Sequence, residues 1–217
     1  MGSVEKWPDS PEARTALKEY LDNAMSRSPD SIGPEDTLGG DDLDFSGADL
    51  SGLSLIEAWF IAANLSGVRL VGADLYRSCV NGASLDGAIL DGADIRKVDA
   101  RGCTAVGAKI RGADARSAAL DDADFREVDF SGSDLRQASL SGSDLRNARL
   151  DGCKYLDTRL IRSRLGGASV AGGQGSVYGP ADVGVTESRV IGGDELRRWF
   201  HDHGAPEVVI LELKAPG

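Results

Sequence analysis

Residues 73–95 read ADLYRSCVNGASLDGAILDGADI, with an apolar residue at every fifth position. The pattern continues in both directions without a break, from Phe45 to Val170, and makes 26 consecutive units of five. A period of five matches neither the 3.6 residues of a helical turn nor the two-residue alternation of a strand. The sequence therefore predicts a repeat architecture, in which every unit gives the same positions to one shared core.

Each unit carries a second, small residue two positions before its apolar centre, as at Ala73 and Ala93, and no charged residue occupies either position. The position two after the centre is glycine in 15 of the 26 units, and glycine favours a corner because it accepts positive φ. A chain that turns at every unit and buries two residues closes into a square coil with four units per turn. At about 4.8 Å per layer, the repeat gives about 6.5 turns and a rod about 31 Å long.

The units read A(D/N)LXX, as in Ala48-Asp49-Leu50 and Ala63-Asn64-Leu65. This pattern resembles the pentapeptide-repeat family over Leu43 to Gly172, about 60% of the chain. The resemblance implies an all-β solenoid, a right-handed quadrilateral β-helix with an N-terminal helical cap and a C-terminal helix plus strand. It does not by itself specify a function, because one fold hosts many functions.

Composition restricts the functional class. The chain has 217 residues, three cysteines and a net charge of −11. It contains no apolar run of membrane-spanning length, and its start has no signal-peptide core, so a cytoplasmic protein that binds no membrane is expected. Cys103 and Cys153 fall on inward positions and Cys79 on an outward one, which is typical of core residues and a surface thiol rather than a disulfide framework.

Residues 1–42 precede the repeat and are predicted to cap its open first turn, which would otherwise expose a free edge. A helix is expected over residues 11–25, with Ser10 as its N-cap. The first turns also carry three large apolar residues at outward positions, Ile56, Trp59 and Ile61. We expect the N-terminal segment to cover them; otherwise they form a site for a partner.

The repeat weakens after Gly172. Residues 173–192 are predicted to form a Gly-rich loop, over 173–182, and a degenerate last turn that resumes in register at Val183-x-Val185 and Ser188-x-Val190. Residues 193–217 then predict a helix over 194–203 and a strand over 207–214. The helix presents Leu196, Trp199 and Phe200 on one face, either as the C-terminal cap or as a dimer contact, since some pentapeptide-repeat proteins dimerise through these elements.

No pattern in the chain favours catalysis or a cofactor. The stretch from Gly192 to Leu196 looks like the GGDEF signature of diguanylate cyclases, but the α/β domain that the signature requires has no room here, and a helix start is favoured. His201 and His203 are two residues apart and would point to different sides of a helix, so no shared metal ion is expected. Nucleophile–base pairs, a phosphate-binding loop and zinc-type spacings are missing from the sequence. A ligand site or active site in the 173–182 loop stays open.

The charge is unevenly distributed. Residues 1–42 carry ten acids and four bases and residues 171–217 seven and four, so the repeat between them is only −2. Every fourth unit shares one side of the square coil, and one side stacks a balanced ladder: Asp74, Asp94, Asp114 and Asp134 beside Arg96, Arg116 and Arg136. A second side is more acidic, with Asp86, Asp124, Glu127 and Asp144 among its residues. Both sets are candidate partner-binding residues.

Three functions follow. The first is a non-enzymatic interaction protein that presents a rigid surface to a protein partner. The second, implied by the fluoroquinolone-resistance branch of the family, is a DNA-mimicking protein that binds DNA gyrase or another type II topoisomerase and protects it from a drug or toxin. The near balance of charges along the repeat counts against a DNA mimic, because duplex DNA presents unbroken negative charge. The third is a ligand binder or enzyme at the 173–182 loop. Direct nucleic-acid binding is not expected of an acidic chain.

Overall fold

The computed structural model describes residues 4–26 and 37–212. The first helix, α1, spans Pro11–Ser26 and the second, α2, spans Gly193–Asp202. Five short strands lie towards the C-terminus: β1 (Thr158–Arg159), β2 (Gln174–Tyr178), β3 (Ala181–Asp182), β4 (Val190–Ile191) and β5 (Glu207–Leu211). From Gly39 to β1 the chain forms a coil held by isolated β-bridges.

The coil has four sides. Parallel bridges occur at every fifth residue and join it to the residue twenty positions later, as in Asp44–Asn64 and Trp59–Cys79. Four bridges therefore complete one turn, and the four faces are named after their first apolar centres, Phe45, Leu50, Leu55 and Phe60. Backbone hydrogen bonds flank each bridge; the Phe45 N–H donates to the Asn64 carbonyl at 2.8 Å.

Each corner is a β-turn. In most corners the amide of the small residue that opens the next face donates to the preceding apolar centre, as Ala48 does to Phe45 at 3.1 Å. The position two after the centre has positive φ in all 26 units, whether or not it is glycine. This is the backbone that a type II turn requires at its third residue. The five-residue period thus corresponds to one short strand followed by one corner.

The core is a column of stacked apolar side chains along the coil axis. Phe45 and Phe60 meet edge to face with ring centroids 5.3 Å apart, and Phe125 and Phe130 do so at 5.4 Å. One section is packed with smaller residues, since Ala100, Ala105 and Ala115 replace larger centres. An apolar cavity of about 40 Å³ lies in this part of the column, lined in part by Ala100 and Ala105.

The helix α1 closes the N-terminal end of the column. Its N-cap is Ser10, whose hydroxyl accepts the Ala13 amide at 3.2 Å. Ala13, Leu17 and Tyr20 are buried and belong to the same apolar cluster as the first coil residues, and the Tyr20 hydroxyl donates to the Ser54 carbonyl. The apolar stripe of α1 is therefore used on the open end of the coil and not on its sides.

The outward apolar residues of the first turns remain exposed. The exposed fractions are 42% for Ile56, 49% for Trp59 and 37% for Ile61. The prediction that the N-terminal segment covers them is wrong for α1, because α1 packs over the end of the column. Residues 1–3 and 27–36 of that segment lie outside the described residues.

The predicted loop over 173–182 is wrong, because most of this segment is strand, made of β2 and β3. Strand β2 pairs in parallel with β1 and with β5. The register also slips: Gln174 pairs with Lys154, Val177 with Thr158 and Asp182 with Arg164, so the separation falls from 20 to 19 and then 18 residues. The predicted return in register is therefore wrong as well. Val183 is buried, whereas Val185 and Val190 are 73% and 62% exposed.

A close backbone approach accompanies the slip. Gly175 has φ of 113°, and a Cβ placed on it would lie 1.6 Å from the Tyr155 carbonyl oxygen. Only glycine fits such a contact. Gly175 lies between the Lys154–Gln174 pair, which is twenty residues apart, and the Thr158–Val177 pair, which is nineteen apart, so the close approach coincides with the first shortening of the turn.

The helix α2 and strand β5 close the C-terminal end. Leu196 and Phe200 are fully buried in their own chain, and Val208 of β5 is 2% exposed. Both ends of the apolar column are thus covered, by α1 at one end and by α2 with β5 at the other.

Candidate interaction surfaces

The Leu55 face carries the Asp/Arg ladder that the sequence predicts. Within single turns, the Arg116 and Arg136 guanidinium groups each donate to the aspartate two residues earlier at 2.6 Å, and the Arg96–Asp94 pair lies at 2.5 Å. Each of these aspartates also accepts the backbone N–H of its own arginine, at 3.1 to 3.3 Å. Asp74 accepts the Tyr76 N–H at 3.0 Å, so a tyrosine replaces arginine in that turn.

The ladder also connects successive turns. The Arg96 Nε lies 3.7 Å from Asp114, and the Arg116 Nε lies 3.9 Å from Asp134. Hydrogen bonds from Arg96 lower the pKa of Asp94, and those from Arg136 lower the pKa of Asp134. The arginine side chains are about 40% exposed, so water screens each pair and its contribution to stability is small. The main effect of the ladder is to hold its charged side chains in fixed positions.

The Phe45 face is less acidic than its composition indicates. Arg126 pairs with Asp124 at 2.7 Å, and Asp144 is held by Arg146 at 2.6 Å and by Arg164 at 3.2 Å. Burial alone would raise the pKa of Asp144, but the two guanidinium groups bring it below its ordinary value.

Three acids of this face, Asp44, Asp86 and Glu127, stand apart from those pairs. Asp86 is exposed and accepts the Val106 N–H at 2.8 Å. Glu127 is also exposed, and it lines a shallow groove of about 230 Å³ with Arg126, Arg146 and Val185. The structure therefore gives this face separate charge pairs and not a continuous acidic stripe.

The corners differ sharply from edge to edge. The corner that follows the Leu50 face is glycine in every turn; its members are Gly52, Gly72, Gly92, Gly112, Gly132, Gly152 and Gly172. The corner that follows the Leu55 face contains no glycine, and we call it the glycine-free edge; its members are Glu57, Arg77, Lys97, Ser117, Gln137 and Asp157. Their φ angles of 55–61° are left-handed. Sequence reasoning missed this edge, although the missing glycines are visible when every fourth corner is compared.

A shallow groove follows the middle of the glycine-free edge. Its lining includes Tyr76, Arg96, Lys97 and Arg116, and its volume is about 230 Å³. Arg96 lies 5.2 Å and Lys97 5.7 Å from the centre of the Tyr76 ring, within the range of a cation–π contact. Two cations thus lie beside one aromatic ring on this edge.

The exposed apolar group of Ile56, Trp59 and Ile61, here called the Trp59 patch, lies where the glycine-free edge meets the Phe60 face. The backbone of Trp59 is fixed by residues 38–40, because its N–H donates to Leu38 at 2.8 Å and its carbonyl accepts from Gly40 at 2.6 Å. The patch therefore sits on rigid backbone.

The three C-terminal residues that the sequence predicts as a cap or dimer contact differ in burial. Leu196 and Phe200 point into the column as cap contacts. Trp199 is partly exposed; it contacts Phe200 edge to face at 5.1 Å and stacks on His203 at 4.3 Å. The His203 Nδ1 lies 2.7 Å from the Trp199 carbonyl, while His201 lies beside Asp202 at 3.3 Å. Gly193 is the first residue of α2, so the GGDEF-like stretch from Gly192 to Leu196 forms a helix start.

Within residues 4–26 and 37–212, no group of three or more His, Cys, Asp or Glu side chains is placed to hold a metal ion. The same residues contain no helix that is long and apolar enough to cross a membrane. Burial raises the pKa of the Cys103 and Cys153 thiols to about 12. These thiols are core residues, as their inward positions predict.

The sequence matches a family model described as pentapeptide repeats, in eight copies that cover residues 44–82, 69–104, 79–114 and 118–154. No curated protein matches it.

Solved structures resemble the fold. A trypsin-treated variant of QnrB1, a plasmid-mediated fluoroquinolone resistance protein, is 16% identical over 68% of this chain and 74% of that one, with a TM-score of 0.55. Full-length QnrB1 is 16% identical over 67% and 78%, with a TM-score of 0.50. HetL, a pentapeptide repeat protein of the cyanobacterium Nostoc involved in heterocyst differentiation regulation, is 24% identical over 69% and 83%, with a TM-score of 0.33. At these identities the QnrB1 likeness is one of fold.

Proposed function

The chain belongs to the pentapeptide-repeat family, whose members fold as right-handed quadrilateral β-helices, and we propose that it is a non-enzymatic interaction protein. Its rigid rod presents the Leu55 face and the glycine-free edge to a protein partner. The candidate contacts are the side chains of the Asp/Arg ladder together with those of the edge beside it.

The glycine-free edge is the observation that carries this proposal. A left-handed backbone costs about 1–2 kcal/mol at a residue with a side chain, and the preceding, all-glycine corner shows that glycine fits such corners. Six successive turns nevertheless keep a side chain there, including Arg77, Lys97 and Gln137. Backbone strain of this kind clusters at functional sites. The glycine-free edge therefore lowers the stability of the chain but keeps a row of side chains that project from it.

The ladder supports the same surface. Each aspartate is fixed by a backbone amide of its own turn and in turn fixes an arginine, so the charged groups are ordered before any partner arrives. Side chains that are already ordered lose less entropy on binding. A regular pattern of alternating charges also discriminates between partners, because like charges placed opposite each other are repelled.

The test compares an edge variant with a matched control in the source cells. The edge variant carries Lys97→Gly, Ser117→Gly and Gln137→Gly; the control carries Val71→Ser and Arg111→Ser beside the all-glycine corner. Proteins cross-linked to the tagged wild-type chain are quantified by mass spectrometry. We expect at least one protein to be recovered with the wild type and the control but lost with the edge variant. Equal recovery with all three chains would contradict the proposal.

A DNA-mimicking topoisomerase-binding protein is the second candidate. It is favoured by the net charge of −11 and by a fold shared with QnrB1, a fluoroquinolone resistance protein. The ion pairs on the Phe45 and Leu55 faces count against it, because they interrupt the acidic stripe that a duplex mimic needs. Supercoiling by purified DNA gyrase, with and without a quinolone, tests it. Protection at micromolar protein supports this candidate, and no effect rejects it while leaving the first proposal standing.

A second copy of the chain is a further candidate partner, through the C-terminal elements. Strand β5 is the edge strand of its sheet, and Val209 on it is 54% exposed. Light scattering should then give a dimer mass for the wild type and a monomer mass for Val209→Lys. A monomeric wild type would reject this assembly.

A further inference from the structure

The Trp59 patch has features of a binding anchor and not of scattered surface residues. Its three large apolar side chains lie within six residues of one another on a single rigid turn, and each is more than one-third exposed. Tryptophan is enriched among the residues that dominate binding energy. Later turns carry polar or small residues at the position of Trp59, since Asp99, Ala119 and Ser139 follow Cys79 there. The patch is therefore a local feature and not part of the repeat.

The rim of the patch indicates the charge of its occupant. Glu57 is neutralised by Arg77 at 3.2 Å, and Asp99 is neutralised by Arg101. Asp41 and Asp42 are exposed and form no ion pair within the described part of the chain. Asp41 is held against the patch, because it accepts the Ile61 N–H at 2.7 Å. Two uncompensated carboxylates thus border the apolar surface on its N-terminal side.

We infer that the Trp59 patch binds a protein segment in which apolar or aromatic anchors stand next to lysine or arginine. The anchors would cover Trp59 and Ile61, and the basic side chains would face Asp41 and Asp42. This rests on the proposed function, since it names the chemistry of the partner and the place where it is anchored. The overall negative charge of the chain also speeds the encounter with a basic segment.

A random 12-residue peptide library selected on the purified full chain tests the inference, because such a selection needs no identified partner. We expect enriched peptides to combine two apolar or aromatic residues with neighbouring Lys or Arg. Trp59→Ala should weaken their binding at least about tenfold, and Asp41→Asn with Asp42→Asn should weaken it and reduce its salt dependence.

Leu156→Ser is the matched control, because Leu156 is 48% exposed and occupies the position of Ile56 five turns further on. It should leave peptide binding unchanged. Peptides that bind Trp59→Ala as well as the wild type, or that are enriched in Asp and Glu, would overturn the inference. If such peptides lose binding only in the Lys97→Gly, Ser117→Gly, Gln137→Gly variant, the proposed interaction surface stands and this anchor does not.

Discussion

Phe200 of α2 packs edge-on against Tyr155 of the last regular turns, with ring centroids 6.3 Å apart. Both rings are buried, so the contact joins the C-terminal helix to the apolar column. Phe200 is therefore a contact of the C-terminal cap and not of a dimer, because a fully buried ring is not available to a second chain.

Phe200→Ala is expected to lower the free energy of unfolding by about 3–5 kcal/mol, the usual cost of removing a buried ring. In a solenoid each turn contacts only its neighbours, so the loss should be local. Hydrogen exchange should therefore accelerate in β2 and β5 but not near Phe60. Trp199→Ala is the control and should cost less, because Trp199 is partly exposed. Equal losses for the two variants would contradict the cap assignment.

Filling the cavity of the column should stabilise the chain. The cavity measures about 40 Å³, and at about 24 cal/mol per Å³ such a void costs about 1 kcal/mol. Ala105→Val places two methyl groups in it and should raise the free energy of unfolding by up to that amount, measured by urea denaturation. Ala108→Val is the control at a tightly packed neighbouring position, where overpacking should cost about 1–3 kcal/mol. A loss of stability in Ala105→Val would show that the column cannot accept the larger side chain.

Substitutions at the glycine-free edge and at the all-glycine corner should change the free energy of unfolding in opposite directions. Ser117→Gly removes the strain of a left-handed backbone at a residue with a side chain, but it also increases the entropy of the unfolded chain. The first effect is larger, so the free energy of unfolding should rise by about 0.5–1 kcal/mol. Gly112→Ser, at the preceding corner, imposes the same strain and should lower it by a similar amount. A Cβ at Gly112 meets nothing within 4 Å, so the change tests the backbone alone. Stabilisation by Gly112→Ser would refute the strain argument on which the proposed function rests.

The sequence period predicts the repeat region well, because bridges, corners and inward positions are all local consequences of five residues. Ala48 and Leu50 are buried for the same reason as Ala148 and Leu150, one hundred residues later. The prediction fails after Gly172, where register depends on contacts distant in sequence: Gly175 against the Tyr155 carbonyl, and β2 against β5. No local pattern encodes those contacts.

The candidate surfaces were predictable to different degrees. The Asp/Arg ladder follows from comparing every fourth unit, since Asp94 and Asp114 must stack once the turn length is known. The pairing of Asp144 with two arginines required side-chain positions, which the period alone does not supply. The exposure of Trp59 was not predicted, because the sequence favoured its coverage by the N-terminal segment, whereas α1 packs on the end of the column.

The ladder also predicts how stability depends on pH. Arg136 lowers the pKa of Asp134 in the folded chain, so the unfolded chain, with an ordinary aspartate pKa of about 3.9, takes up a proton first as the solution is acidified. This pair therefore adds its full stability above about pH 4, and the contribution disappears as pH falls through the lower folded pKa. Arg136→Gln should lower the free energy of unfolding slightly at pH 7, because the pair is screened by water, and by progressively less below about pH 4.

Urea denaturation across the acid range, from neutral pH to below the pKa of an ordinary aspartate, measures the difference between Arg136→Gln and the wild type. Arg159→Gln is the control, because Arg159 forms no ion pair within residues 37–212, and its effect should not vary with pH. A loss in Arg136→Gln that stays constant throughout acidification would mean that the arginine stabilises the turn through packing and not through its charge.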